Sequence, residues 1–268
     1  MDLSPAGQFL LPGIRVLLEG QTLVIQSGEP LFLLSSAVLG GGFLRSRHII
    51  NHHVSKEYDG QEPWTDLQRV ARELGLEDPV VGLMTAVDVS QAVLKREAEP
   101  RTETHAGVGT DDFPLEVIAL ATAGVGNPGC AGSRSPDLTT PAGAGITPDE
   151  DVRRLEPAQP TKAGTINIIL LVAGNLTRGA MVNAVMTATE AKARALFDLK
   201  VRCPDGQLAT GTTSDAIVIA CTGRGAPHHY AGTATHLGAM IGRTVYASVR
   251  QGVVGYRQRV MARGLGDR

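Results

Sequence analysis

Gly164-Thr165-Ile166-Asn167-Ile168-Ile169-Leu170-Leu171-Val172-Ala173 is the stretch from which the rest of the chain is read. Residues 168–173 form an unbroken apolar run of strand length, with a hydroxyl- and amide-bearing lip at Thr165 and Asn167. A turn at Gly174-Asn175 leads to Thr177, a suitable N-cap, and then to an expected helix over residues 178–199. Val182, Val185, Met186, Thr189, Ala193 and Phe197 are expected to face the core, and Thr189-Glu190-Ala191-Lys192 lies within this helix. After the break Pro204-Asp205-Gly206 comes a polar turn, Thr210-Gly211-Thr212-Thr213-Ser214-Asp215, and a second apolar run over 216–221. Polar side chains crowded beside buried strands cost stability unless they are paired or used. Residues 164–221 are therefore read as the block that carries the chemistry.

Working outward, residues 14–18, 22–26 and 31–34 read as three short strands separated by Gly-containing turns, and 48–54 as another. Gly40-Gly41-Gly42 is a loop that lets backbone approach something closely. Residues 63–74 suit a helix with Pro63 in its first turn and Leu67, Val70, Ala71 and Leu74 on one face; Gly75 stops it. Residues 80–86 and 115–122 read as buried strands, each ending in Thr-Ala, so that Thr85 and Thr122 fall where strand ends often meet a ligand. From Gly124 the chain turns rich in Gly and Pro, which reads as a mobile loop at about 128–162 within a single domain spanning 1–268. Residues 235–262 carry a long helical stripe: Leu237, Ile241, Val245, Val249, Val253, Tyr256 and Val260. Gly238 and Gly242 on an adjacent face suit close packing.

Long helices beside central strands imply an α/β (α+β) layered sandwich, two packed sheets flanked by long helices. A doubly wound parallel sheet is the alternative; three early strands without intervening helices argue against it. At 268 residues and 43% hydrophobic content the chain supports a sizeable core. A net charge of −2 with the signs interspersed leaves no basic stripe for nucleic acid. Cys130, Cys203 and Cys221 have neither pairing arithmetic nor C-x-x-C spacing, which suits a reducing compartment and no structural zinc. With no signal-peptide pattern and no membrane-length apolar run, the expected location is cytoplasmic.

Each candidate site has a plainer counterpart. Thr165 follows Gly164 at the end of the loop and opens a buried strand, where a hydroxyl can act as a nucleophile once activated; equally, a β-branched residue simply favours a strand start. Residues 210–215 offer hydroxyls, backbone N–H groups and one carboxylate in a nest-forming turn, or an ordinary Asp/Ser/Thr turn. Glu190 and Lys192, two apart on a helix, point different ways. His48, His52 and His53, and His228, His229 and His236, occur in clumps, but the first segment reads as extended and no ligand spacing completes a metal site. The Gly40 loop lacks the Lys-Ser/Thr of a P-loop.

Taken in order, seven stretches resemble the adenosylcobinamide amidohydrolases of corrinoid salvage. They are Ser35-Ser36-Ala37 with Gly40-Gly41-Gly42; Gly82-Leu83-Met84-Thr85-Ala86; Thr122-Ala123-Gly124-Val125-Gly126-Asn127; Gly164-Thr165-Ile166-Asn167; Ala188-Thr189-Glu190-Ala191-Lys192; Thr210-Gly211-Thr212; and Tyr230-Ala231-Gly232-Thr233-Ala234-Thr235-His236-Leu237-Gly238. Two departures stand out: Ser214 where the pattern has Thr before the Asp, and a long Pro/Gly loop. The resemblance implies hydrolysis of the amide joining the corrin propionate side chain to 1-amino-2-propanol, giving adenosylcobyric acid, with the corrinoid as substrate and no cofactor or metal. A second resemblance, in the order of elements, is to the fold shared by ornithine acetyltransferase and the β-aminopeptidases, where a Ser or Thr freed by chain cleavage is the nucleophile; Thr165 matches that position.

These likenesses imply catalytic roles for Thr165, Asn167, Glu190 and Asp215. They imply substrate contacts from Thr85, Thr122, Gly124, Asn127, Lys192, Thr210, Gly211, Thr212 and His236. The partner implied is adenosylcobinamide or a related corrinoid, with no nucleic acid and no membrane, and with room for a homo-oligomer. Two other functions compete: a non-catalytic corrinoid-binding module, which a lone ligating His such as His236 would suit, and a Thr-nucleophile peptidase or acyltransferase.

Overall fold

A computed structural model of the chain describes residues 7–58, 61–76, 79–100, 114–133 and 164–266. The first part holds strands β1 (Gln8–Leu11), β2 (Ile14–Glu19), β3 (Thr22–Ser35) and β4 (Gly42–His53), helix α1 (Pro63–Glu73), and strands β5 (Val80–Thr85), β6 (Val93–Ala98) and β7 (Glu116–Ala123). There follow β8 (Pro128–Gly129), β9 (Ile166–Ala173), β10 (Asn175–Leu176), helix α2 (Arg178–Asp198), β11 (Gly211–Thr212), β12 (Ala216–Cys221), β13 (Pro227–His228) and helix α3 (His236–Gly266). Most of the loop expected at 128–162 lies outside the described residues. The part that is described includes β8, paired with β11.

The mixed α and β character is as expected; the sheet arrangement differs. Among the described residues the main strands form one hydrogen-bonded nine-stranded sheet, β1-β2-β3-β12-β9-β7-β6, with β4 on β3 and β5 on β4. Within that sheet β12 with β9 and β4 with β5 pair in parallel and the other pairs are antiparallel, so the doubly wound alternative is excluded. The continuity comes from β3. Its register shifts between Gln26 and Leu31, where Gly28-Glu29-Pro30 interrupt the ladder because Pro lacks an N–H. Two strands with a turn were expected here; instead the chain runs on through the bulge. The first half of β3 pairs with β2, the second with β12.

This continuity lets the sheet cover its own face. Ile118 and Leu120 of β7, Ile169 and Leu171 of β9 and Val218 of β12 share one core with Val16, Leu23, Ile25, Ile49 and Leu83 from the first five strands. The other face of β7, β9 and β12 packs on α2 and α3 through Val117, Ile168, Leu170, Val172 and Ile219. Strands buried on both faces read as continuous apolar runs rather than alternation, as these do. Helix α1 closes the outside of the early strands, Leu67 and Ala71 meeting Val24, Ile50 and Val80.

Helix α2 begins as expected, Thr177 Oγ1 accepting from Ala180 N at 3.2 Å, but presents a different face. Val182, Met186 and Phe197 are exposed, whereas Ala180, Met181, Ala184, Thr187, Ala188, Ala191, Ala195 and Leu196 are buried. Small residues let the helix sit close against β12 and α3, and that closeness outweighs the larger side chains' preference for the interior. In α3 the stripe from Leu237 to Val253 is buried as expected, while Val260 is exposed. Gly238 packs so tightly that a Cβ there would overlap the Gly232 carbonyl, whereas one at Gly242 would meet nothing. Gly40, at φ +72°, lies against Val80, where a Cβ would stand 2.8 Å from the carbonyl oxygen; the backbone it approaches is the start of β5. No helix among the described residues is long and apolar enough to cross a membrane.

Candidate active site

At one end of the sheet β9 and β12 begin and β7 stops: Ile166 pairs with Ala123 and Ala216 with Asn167. Thr165 is buried there, its carbonyl accepting from Gly124 N at 3.0 Å. Its Oγ1 lies 2.8 Å from Ser214 Oγ, which also lies 3.3 Å from the Gly164 carbonyl oxygen. A hydroxyl has one proton to give. With Ser214 donating to Gly164, its oxygen is left to accept from Thr165.

Asp215 organises the turn beside them. Its carboxylate accepts from Lys192 Nζ at 2.5 Å, from Ile166 N at 3.0 Å, from Thr212 N at 3.1 Å and from the Thr212 hydroxyl. The bond to Ile166 N ties the start of β12 to the residue after Thr165. Lys192 and Asp215 are both largely buried, at 12% and 15% side-chain exposure, so the pair is shielded from water. Gly211 is needed at this point: a Cβ there would stand 2.5 Å from Asp215 Oδ2 and 2.8 Å from Lys192 Nζ.

The loop after β7 closes the other side. Asn127 Nδ2 donates to Thr213 Oγ1 at 2.6 Å, and Thr210 Oγ1 accepts from Ala131 N at 2.8 Å. A Cβ on Gly164 would lie 2.5 Å from Gly126 N, 2.7 Å from the Gly124 carbonyl oxygen and 2.8 Å from Asn127 Oδ1. Backbone therefore meets backbone directly next to Thr165.

One rung into the sheet is a buried amide relay. Asn167 Nδ2 donates to Asn51 Oδ1 at 2.9 Å and to the Met84 carbonyl at 2.7 Å, and Asn51 Nδ2 donates to Thr122 Oγ1 at 3.0 Å. Thr85 Oγ1 accepts from Val87 N at 3.0 Å. Asn167 Oδ1 and Asn127 Oδ1 are buried and meet no hydrogen-bond partner among the described residues.

Thr85, Thr122, Gly124, Asn127, Thr165, Asn167, Lys192, Thr210, Gly211, Thr212 and Asp215 are thus gathered at one sheet end. Two expected residues lie elsewhere. Glu190 is exposed on α2. His236 begins α3 at the opposite end, its Nε2 3.2 Å from Glu99 Oε1, beside a hollow of about 560 Å³. Eight residues of β9 separate the two ends, roughly 26 Å at the usual strand rise. Ser214 and Asn51 are the additions from the structure. Ser214 was visible as a departure within the turn; Asn51, a polar residue inside an expected strand, carried the signal of a buried partner.

A side-chain hydroxyl at a strand start, a second hydroxyl against it and amide donors alongside form the kind of arrangement that acyl-transferring hydrolases use. The chain belongs to the adenosylcobinamide amidohydrolase family, whose sequence model matches residues 13–260. It is 29% identical over 245 residues to an adenosylcobinamide amidohydrolase of Methanosarcina mazei, covering 88% of this chain and 96% of that one. It is 34% identical over 138 residues to one of Halobacterium salinarum, covering 50% of this chain and 48% of the other. Among solved structures, an L-aminopeptidase D-Ala-esterase/amidase from Ochrobactrum anthropi aligns over 91% of this chain and 82% of its own, with a TM-score of 0.35 and 11% identity.

Proposed function

We propose that this protein hydrolyses the amide between the corrin propionate side chain and 1-amino-2-propanol in adenosylcobinamide, releasing adenosylcobyric acid and the amino alcohol. Family membership supplies the substrate. The observation that carries the site assignment is the Thr165–Ser214 hydroxyl contact at 2.8 Å, at the mouth of a polar sheet end.

In this reading Thr165 Oγ1 attacks the amide carbonyl. Asn127 and the backbone N–H groups of its loop hold the developing oxyanion. Asp215 and Lys192 act through position: the carboxylate fixes Ile166 N and Thr212, and the Lys192 ammonium pairs with that carboxylate. Asn167, Asn51 and Thr122 brace the strand ends. The layered fold fits the same reading, with the early strands and the β12-β9-β7 half acting as two packed layers, because their facing residues share one core.

The direct test is release of 1-amino-2-propanol from adenosylcobinamide by wild type and by Thr165→Ala. The reading requires release by the first and its loss in the second. Intact mass measured alongside shows whether the Gly164–Thr165 bond is cut, as in the enzymes whose element order this chain resembles.

A further inference from the structure

Resting on that amidohydrolase reading, we infer that His53 is the proton-transfer group of the site. The titratable side chains already placed there are committed. Asp215 accepts four hydrogen bonds, Lys192 is one of its donors, Glu190 is exposed on α2, and His236 stands at the far end beside Glu99. Amide hydrolysis needs a group that takes the hydroxyl proton and then hands one to the leaving amine.

Strand geometry brings His53 to this end. Asn51, two residues earlier on the same face of β4, bonds both Thr122 and Asn167, which are themselves register partners. One rung further out, Gly124 N donates to the Thr165 carbonyl. Strand β5 runs parallel to β4 with Thr85 opposite His53. Val87, two residues on, reaches Gly124: a Cβ there would lie 2.6 Å from its methyl group. The β4–β5 pair therefore heads from the Thr122–Asn167 rung toward the Gly124–Thr165 rung, and His53 is the next inward residue.

The environment of the ring suits the role. His53 Nδ1 is buried and meets no hydrogen-bond partner among the described residues, whereas His52 Nδ1 is engaged by the Thr22 hydroxyl at 2.8 Å. The charged and titratable groups around it are His52 beside it, Asp88 in the turn after β5, and Arg259 of α3 beyond Asp88. Burial pushes the Asp88 carboxyl upward, but the Ser90 hydroxyl and N–H, together with His53 and Arg259, outweigh it and hold Asp88 below its ordinary value.

The step balances. Thr165 Oγ1 bonds to the amide carbon while its proton passes to His53. The C–N bond breaks as the imidazolium protonates the departing amine, leaving an acyl ester on Thr165. Water, deprotonated by His53, then cleaves that ester to give the carboxylic acid and restore the hydroxyl.

The test is His53→Gln in the full chain, with amine release from adenosylcobinamide followed between pH 5 and 9. The expected result is a kcat about 10²-fold or more lower with KM within about threefold, and a pH–rate profile changed in shape from that of wild type. Free imidazole should restore part of the rate to His53→Gly. Activity of His53→Gln within about threefold of wild type, with the same pH profile, overturns the assignment. If that variant fails to fold, a folded His53→Asn with a kcat within about threefold of wild type overturns it equally. Wild type releasing no amine removes the amidohydrolase reading itself, and the role of His53 with it.

Discussion

Thr165 Oγ1 and Ser214 Oγ stand 2.8 Å apart, so the hydroxyl that opens β9 is held by the turn that opens β12. The two residues are 49 apart in sequence and α2 lies between them. Asp215, next to Ser214, also grips Ile166 N. Thr165 is thereby fixed on both sides by one short turn.

That double hold gives a graded expectation for activity. Thr165→Ala removes the atom proposed to attack and should lower amine release by about 10³-fold or more. Thr165→Ser keeps the hydroxyl and should retain more activity than Thr165→Ala. Ser214→Ala leaves the Thr165 hydroxyl but frees its rotamer, and should fall between wild type and Thr165→Ala. Steady-state assay of the three variants checks the order; Ser214→Ala falling below Thr165→Ala would reassign the nucleophile.

The Lys192–Asp215 pair should show in stability as well as in rate. Both side chains are mostly withdrawn from water. Lys192→Met leaves a buried carboxylate without its cation, a change that costs about 3–5 kcal/mol. Glu190→Gln alters an exposed position and should stay within about 0.5 kcal/mol. Urea denaturation of the two variants separates these outcomes.

Close backbone contact makes two glycines sensitive to a single methyl group. Gly164→Ala would press a Cβ against Gly126 N and the Gly124 carbonyl, and Gly211→Ala would press one into Asp215 and Lys192. Overpacking of this kind typically costs about 1–3 kcal/mol. Because both contacts border Thr165, activity should fall further than the lost stability explains. Gly242→Ala, where a Cβ meets nothing, should be stable and active. Thermal melts paired with activity assays test all three.

That the candidate site's residues gather together was more legible in the sequence than the sheet that gathers them. Thr165, Asn127 and residues 210–215 were readable because hydroxyls and amides beside apolar runs demand partners. The union of residues 22–26 and 31–34 into one strand was not, because Gly28 and Pro30 signal a turn and a bulge alike. The buried face of α2 was also hidden. Val182, Met186 and Phe197 are apolar at helical spacing, yet the alanines at 180, 184, 188, 191 and 195 make the contact. His236 belongs to a motif continuous in sequence, but α3 carries its start to the other end of the sheet. Position along the chain does not reveal which end of a strand a helix begins from.

The cysteines give a pH-dependent expectation. Burial, with smaller contributions from Asp205 and Cys130, pushes the Cys203 thiol up to about 11, and burial also raises Cys221. Well below pH 9 both thiols are mostly protonated, folded or unfolded, and contribute little to the pH dependence. Between the ordinary value of 9.0 and about 11, the unfolded chain loses the Cys203 proton first. It then binds fewer protons than the folded chain, so stability falls as pH rises through that window. Native-state alkylation near pH 8 should modify half-exposed Cys130 well before Cys203 or Cys221, as read by peptide mass.

The proposed reaction is cleavage of the aminopropanol amide of a corrinoid by the hydroxyl held at the start of β9. Incubating the purified protein with adenosylcobinamide and separating the corrinoids by chromatography with mass detection tests it most directly. Wild type should give adenosylcobyric acid and an equal amount of 1-amino-2-propanol, and Thr165→Ala neither. Unchanged adenosylcobinamide after wild-type incubation, or equal turnover by the two proteins, would contradict it.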